Sequence, residues 1–294
     1  MDRSKILKGL FYSFISACAF ASLAIFVRIG YDIGFSTKEM LFYRFLSASV
    51  FMAIFLLIKD KKTIKPTKNL IKKTIITGDI LYTAQAFCFF SSVKYVSPSV
   101  TELLLYLYPA FVSLLAVFIF NESINMFKVS YILAILVGFV FIFNDALNSK
   151  LKLMGVVFGI SAMVIYSIYL IVAQRFLNNE NPLSFTFYTI VFAAISFAII
   201  FHPNLKPISL KQLLIVISLG LISTVVAIGF LFASIEIIGS SLTSIFSSFE
   251  PVITIILSTF VLNMTMNIYQ IIGAFFILLG VFMANLYHLR VSKT

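Results

Sequence analysis

Glu250 has the surroundings best suited to chemistry. It stands near the middle of an apolar run, next to Pro251 and three residues after Ser247. Proline has no N–H, so the carbonyl four residues earlier, that of Ser247, loses its helical partner. A carboxyl group beside a freed carbonyl can take a proton or face a cationic group. The plain structural reading is a protonated carboxyl bonded to the loosened backbone. Asp79 follows Gly78 in another apolar run, with Tyr82 and Thr83 one turn on, Ala86 two turns on and Gln85 close to the same face. On an α-helix these make a polar strip, although Asp79 could equally close a bond between helices. Glu102 precedes Tyr106 and Pro109 on roughly one face, and its bland reading is snorkelling to the surface. Ionisable groups inside apolar runs are costly in lipid and point to function by default. Arg44 is the basic group among them, expected near a surface, snorkelling or paired with an acid.

Other chemistries lack their residues. No Gly-rich Walker loop is present, so this chain cannot itself be an ATP-driven pump. His202 and His288 lie far from any carboxylate pair, and Cys18 and Cys88 have no His or Cys at ligand spacing. No catalytic residue, metal site or cofactor is therefore expected.

The stretches that must position these residues occur twice. Lys94 to Gly138 is repeated from Glu236 to Gly280 at a constant offset of 142, which carries Ser99 onto Ser241, Pro109 onto Pro251, Asn121 onto Asn263 and Tyr108 onto Glu250. Gly78 and Gly220 keep that offset upstream. Each copy puts its proline near the middle of an apolar run, so two helix breaks are predicted near mid-membrane. In lipid, broken backbone is tolerated only where protein buries it or it lines a wet cavity. Phe20, Tyr166 and Tyr169 fall in the first run of each copy, where an aromatic wall could attract a substrate amine.

Composition agrees with a membrane. The mean hydropathy is +1.07, and 11% of residues are charged, against about 25% in soluble domains. The net charge of +11 is gathered between apolar runs rather than along a basic stripe, which reads as membrane topology and excludes nucleic acid as partner. Ten spans are predicted: 8–27, 40–58, 74–93, 98–119, 127–144, 153–174, 184–201, 211–233, 240–262 and 268–287. Small residues at four-residue spacing, such as Ala134/Gly138 and Gly280/Ala284, suit close helix packing. The loop from Lys59 to Lys73 carries seven lysines. Setting it and both termini in the cytoplasm puts 14 Lys/Arg there against 7 outside, the favoured orientation. Five spans per copy is an odd number, so the second copy enters from the opposite side. The expected fold is thus all-α, ten transmembrane helices as two inverted five-helix repeats, 1–146 and 147–294.

At this point the chain resembles the EamA-type family of the drug/metabolite transporter superfamily over nearly its whole length. The matching stretches are FYRF around Arg44, FNE at Phe120 to Glu122, FEPV around Glu250, and the opening helices AFASLAIFVR and VIYSIYLIVAQR. Phe20 and Tyr166 depart from a common tryptophan, and Met264 from an expected glutamate. The resemblance implies alternating access through a cavity lined by spans one, three, four, six, eight and nine. It names no substrate. With acids outnumbering bases inside the spans, an amino acid, organic cation or other zwitterionic or cationic metabolite fits better than a sugar phosphate.

The expected function is a secondary transporter in the inner or plasma membrane, driven by a coupling proton or by exchange. The other class is a membrane-embedded enzyme or a non-transporting scaffold, which would show turnover or binding without flux. The expected substrate contacts are Asp79, Tyr82, Gln85, Glu102, Tyr106, Tyr166, Ser247 and Glu250. Membrane lipid and a small-molecule substrate are the expected partners.

Overall fold

The computed structural model describes residues 3–59, 65–108, 110–111, 126–148, 152–177, 180–201, 207–231, 233–234, 237–238, 247 and 249–291. Among them the chain is helical and contains no strand. Its helices are α1 (Arg3–Asp32), α2 (Thr37–Lys59), α3 (Lys68–Thr74, continued by Ile75–Tyr82 and Thr83–Tyr95) and α4 (Pro98–Leu105), then α5 (Met126–Asn148) and α6 (Leu153–Leu177). There follow α7 (Pro182–Phe201), α8 (Leu210–Ile217, continued by Ser218–Val226), α9 (Glu250–Leu262) and α10 (Ile268–Val291). Each falls within or around one predicted span; the fourth and ninth spans are described in part. Pro109, Asn121 and Glu122 lie outside the described residues.

The helix ends follow from local sequence. Ser97 caps α4 through the N–H of Val100, with Pro98 in the first turn, where its missing N–H costs nothing. Ser209 and Gln212 form a reciprocal capping box at the start of α8. Asn263 ends α9 in the left-handed conformation (φ 51°), a place asparagine tolerates better than most residues.

Two segments do not keep the 3.6-residue period. Ile75–Tyr82 in α3 and Ser218–Val226 in α8 are π-helical. The hydroxyls of Thr83 and Thr224 donate to carbonyls five residues back, those of Gly78 and Leu219, at 2.9 and 2.8 Å. In each segment a glycine allows a neighbouring backbone to come close. A Cβ on Gly78 would lie 2.5 Å from the Thr189 carbonyl oxygen, and one on Gly220 would lie 2.9 Å from the Ala48 nitrogen.

The packing is reciprocal between the two sequence copies. Gly78 meets Thr189 while Gly220 meets Ser47, and 142 residues separate the members of each equivalent pair. Likewise Gly138 packs on Gly273 and Ile277, and Gly280 on Tyr131 and Ile135, so α5 and α10 cross with their backbones close. Ser92 donates to the Gly155 carbonyl at 2.8 Å, and Ser234 donates to that of Gly9 at 2.9 Å. At helix level, α1 packs on α8 and α9, and α6 packs on α3 and α4.

Among the described residues, four helical stretches are long and apolar enough to cross a bilayer: Lys5–Asp32, Thr37–Lys59, Leu183–Phe201 and Leu210–Leu231. One apolar core joins α2, α3, α7 and α8 around Phe45, Phe90 and Phe197; a second joins α4, α5 and α10 around Leu103, Tyr131 and Ile277. Outside, Ile58, Val140, Phe260 and Phe275 are exposed. Apolar side chains facing outward suit a lipid solvent.

Candidate functional site

The site lies where two interrupted helices meet. α4 ends at Leu105, and the chain turns at Tyr106, whose N–H still bonds to the Glu102 carbonyl at 2.9 Å. α9 begins at Glu250, with Pro251 in its first turn. Tyr106 Oη bridges the two breaks, 2.7 Å from the Ser247 carbonyl oxygen and 2.8 Å from Glu250 Oε2. The carbonyl that Pro251 deprives of a helical partner is therefore within reach of the Tyr106 hydroxyl, whose single proton it shares with Glu250 Oε2.

Glu102 completes the cluster. Its carboxyl faces that of Glu250, although the two residues are far apart in sequence and come from different copies. Glu102 is 1% exposed, so it does not snorkel, and its Oε1 has no hydrogen-bond donor among the described residues. Glu250 is half-buried.

Tyrosines lead away from this pair. Tyr106 stands edge-on to Tyr108 (centroids 5.7 Å apart) and Tyr108 edge-on to Tyr166 (5.2 Å). Tyr166 stacks on Tyr169 (6.1 Å), and Tyr169 on Tyr82 (5.5 Å). The chain of rings ends at Arg44. Its Nη2 lies 3.5 Å from Tyr82 Oη, and its Nε donates to Thr224 Oγ1 at 3.0 Å. Tyr82 and Thr224 occupy equivalent positions in the two copies.

Arg44 corrects an expectation. It neither snorkels nor pairs with an acid: it is 2% exposed, and the ion pairs among the described residues are Arg28–Asp32 and Lys73–Glu180. The rings of Phe45 and Phe90, 4.9 and 5.4 Å from its Cζ, take up the guanidinium instead.

The predicted residues thus separate. Glu102, Tyr106, Ser247 and Glu250 come together, Tyr166 adjoins them through Tyr108, and Tyr82 lies at the far end of the tyrosines. Gln85 is buried on α3. Asp79 stands apart, half-buried and bonded to the hydroxyl of Ser196 on α7. The polar strip from Asp79 to Gln85 assumed an α-helical period, and the π-helical segment turns Asp79 toward α7 and Tyr82 toward α6. Tyr108 and Arg44 are not among the expected substrate contacts. A usable signal for Tyr108 was its position, since the 142-residue offset carries it onto Glu250.

A bundle of apolar helices with interrupted backbone and a buried carboxyl pair, and without a metal-ligating cluster among the described residues, has the build of an integral membrane transporter. The EamA-like transporter family model matches the chain twice, over residues 7–144 and 153–286, and the chain belongs to that family. It is similar to the uncharacterized transporter YyaM of Bacillus subtilis (strain 168), 28% identical over 273 residues covering 89% of each chain. The uncharacterized transporter YxxF of the same organism is 25% identical over 267 residues, covering 88% of this chain and 85% of the relative. The crystal structure of another protein has the same fold, with a TM-score of 0.67 at 19% identity over 99% of both chains.

Proposed function

We propose that this protein is a secondary transporter carrying a small zwitterionic or cationic organic metabolite by alternating access, coupled to a proton or to exchange. The observation that carries the reading is the meeting of two interrupted helices at Glu102, which is buried, and Glu250, which is half-buried, with Tyr106 Oη reaching Ser247 and Glu250 across the breaks. Carboxyl groups there can bind a cation or proton away from lipid, and the adjacent tyrosines offer ring faces to an organic group. Tyr82, Gln85, Tyr166 and Ser247 belong to the same path in this reading. Asp79, bonded to Ser196, serves as a polar contact nearer the lysine loop.

The reciprocal contacts support two inverted five-helix halves, 1–146 and 147–294. Contacts that exchange partners under a fixed sequence offset are expected of a pseudo-two-fold axis, and inverted halves rocking about a central site are a common transporter build. The lysine-rich loop supports an orientation with both termini in the cytoplasm, and an inner or plasma membrane location follows from it.

The direct test is uptake of a labelled metabolite panel into sealed proteoliposomes, with and without a pH gradient. Saturable flux of a cationic or zwitterionic member is expected, and binding or turnover without flux would overturn the reading. For orientation, an impermeant thiol reagent added outside cells should label a cysteine placed at Lys206 and spare one at Lys62. The reverse pattern would invert the topology.

A further inference from the structure

Arg44 is a buried cation without an anion among the described residues. It lies in α2, inside one of the stretches long and apolar enough to cross a bilayer. A guanidinium keeps its charge at any working pH, and a charge held inside a span is costly unless neighbouring groups compensate it. Among the described residues the groups around it are neutral. α2 supplies the ring of Phe45, and α3 supplies the ring of Phe90. α8 supplies Thr224, whose hydroxyl donates its own proton to the Leu219 carbonyl at 2.8 Å and so accepts from Nε at 3.0 Å. Nη2 reaches Tyr82 Oη at 3.5 Å, the limit of a hydrogen bond, and the other Nη hydrogens have no acceptor among the described residues. The acids of the bundle are engaged elsewhere. Asp79 is bonded to Ser196, and Glu102 and Glu250 stand at the other end of the tyrosine row.

The repeated scaffold does not itself require this charge. The 142-residue offset carries Arg44 onto Thr186 and Phe45 onto Phe187, so the other copy places a neutral residue at the equivalent point of α7. What Arg44 adds is a planar fork of donors beside Tyr82, short of acceptor oxygens and of one negative charge.

We propose that Arg44 is the anchor for a carboxylate on the transported molecule, which selects the carboxylate-bearing zwitterions from the zwitterionic and cationic classes. This rests on the transporter reading for access to the membrane interior and deepens it by naming a group that the substrate must carry. The Nη edge donates to the carboxylate oxygens, and the Tyr82 hydroxyl donates to the same group. The stacked rings of Tyr82 and Tyr169, with centroids 5.5 Å apart, form a wall for the organic part. In the loaded site the carboxylate balances the guanidinium; in the empty site the rings of Phe45 and Phe90 hold it.

Calorimetric titration of the full-length protein in detergent, at low ionic strength and without chloride in the buffer, tests this with three probes. Sodium phenylacetate carries a carboxylate, 2-phenylacetamide has nearly the same shape without the charge, and sodium chloride supplies an anion without the planar pair of oxygens. Phenylacetate should bind at least about tenfold more tightly than phenylacetamide, because a charge-assisted bidentate pair is stronger than a neutral bond. Chloride should bind more weakly than phenylacetate.

Arg44→Gln should remove the preference for the acid over the amide. Arg44→Lys keeps the charge without the fork, and should weaken phenylacetate binding about tenfold while retaining part of the preference. Tyr82→Phe keeps the ring and Arg44, and should lower phenylacetate affinity about fivefold, more than it lowers that of the amide. The test therefore stands even if the Arg44 variants fail to fold. A wild-type protein that binds acid and amide alike, or binds neither, would overturn the proposal. A preference that survives in Arg44→Gln would do the same, as would chloride binding as tightly as phenylacetate, which would make Arg44 a site for an adventitious ion only. Uptake into proteoliposomes separates this from the reading it rests on. The expected binding pattern without flux of any metabolite would leave the anchor intact and overturn the transporter reading. Flux of a cation that has no carboxylate, unaltered by Arg44→Gln, would keep transport and overturn the anchor.

Discussion

At the end of the bundle that carries the lysine loop, Lys73 Nζ lies 2.9 Å from Glu180 Oε1 and donates to the Phe176 carbonyl at 3.1 Å. Asn69 adds a bond to the same carboxylate oxygen at 3.2 Å. These contacts tie the start of α3 to the connection between α6 and α7. The corresponding place in the other sequence copy is at the opposite end, where α8 starts beside the connection between α1 and α2. There, among the described residues, a hydrogen bond of 3.4 Å from Gln212 Nε2 to the Ile33 carbonyl spans the junction. A cavity of about 210 Å³ opens beside it, lined among others by Phe35, Glu39, Tyr43, Ile208 and Gln212.

The backbones of the two regions are alike, down to a capped helix start followed by a π-helical segment. Their side chains are not. The repeated scaffold puts similar backbone at the two junctions, and the difference in side chains ties one more strongly than the other. The charge pair is largely buried, with side chains 16% and 10% exposed, so it is less screened than a surface pair.

The largest expected effect concerns the shared scaffold. Gly78→Ala places a methyl against the Thr189 backbone at 2.5 Å, where nothing can rotate away. Overpacking of this kind costs about 1–3 kcal/mol, and thermal unfolding in detergent should show a clear loss of stability. Gly220→Ala first meets the Ser47 hydroxyl at 2.1 Å, a side chain able to turn aside, and then Ala48 N at 2.9 Å. Its loss should be smaller, and equal losses would mean that the two junctions are mechanically the same.

The next effect concerns the clasp. Lys73→Met leaves Glu180 without its cation and should weaken that junction by about 1 kcal/mol. Amide exchange across residues 69–77 should then speed up about fivefold, while that across 207–217 stays unchanged. Acceleration at both ends would show that the clasp stabilises the whole bundle rather than one end. The smallest effect is expected from Gln212→Ala. A 3.4 Å bond is near the limit of a hydrogen bond, so stability should change by less than about 0.5 kcal/mol. A larger loss would show that the two ends are closed with similar strength.

Much of this architecture was legible in order along the chain. The apolar runs and the proline that frees the Ser247 carbonyl are local features whose physics acts within a few residues. The 142-residue offset foretold which positions would correspond, and the glycines it marks are those at the close crossings. The direction in which Asp79 and Tyr82 point was not legible. An α-helical and a π-helical reading of Ile75–Tyr82 use the same residues, and only the approach of the Thr189 backbone to Gly78 is seen to favour the second.

Glu102 and Glu250 could each be suspected from sequence as acids in apolar runs. That they come together could not. Nothing local links residues so far apart; the packing of α4 against α9 and the reach of Tyr106 bring them together. Arg44 makes the same point in reverse. Its charge suggested a surface or an acid partner, yet packing surrounded it with Phe45, Phe90, Tyr82 and Thr224. Residue type sets the cost of burying a charge, and the fold alone determines which neighbours meet that cost.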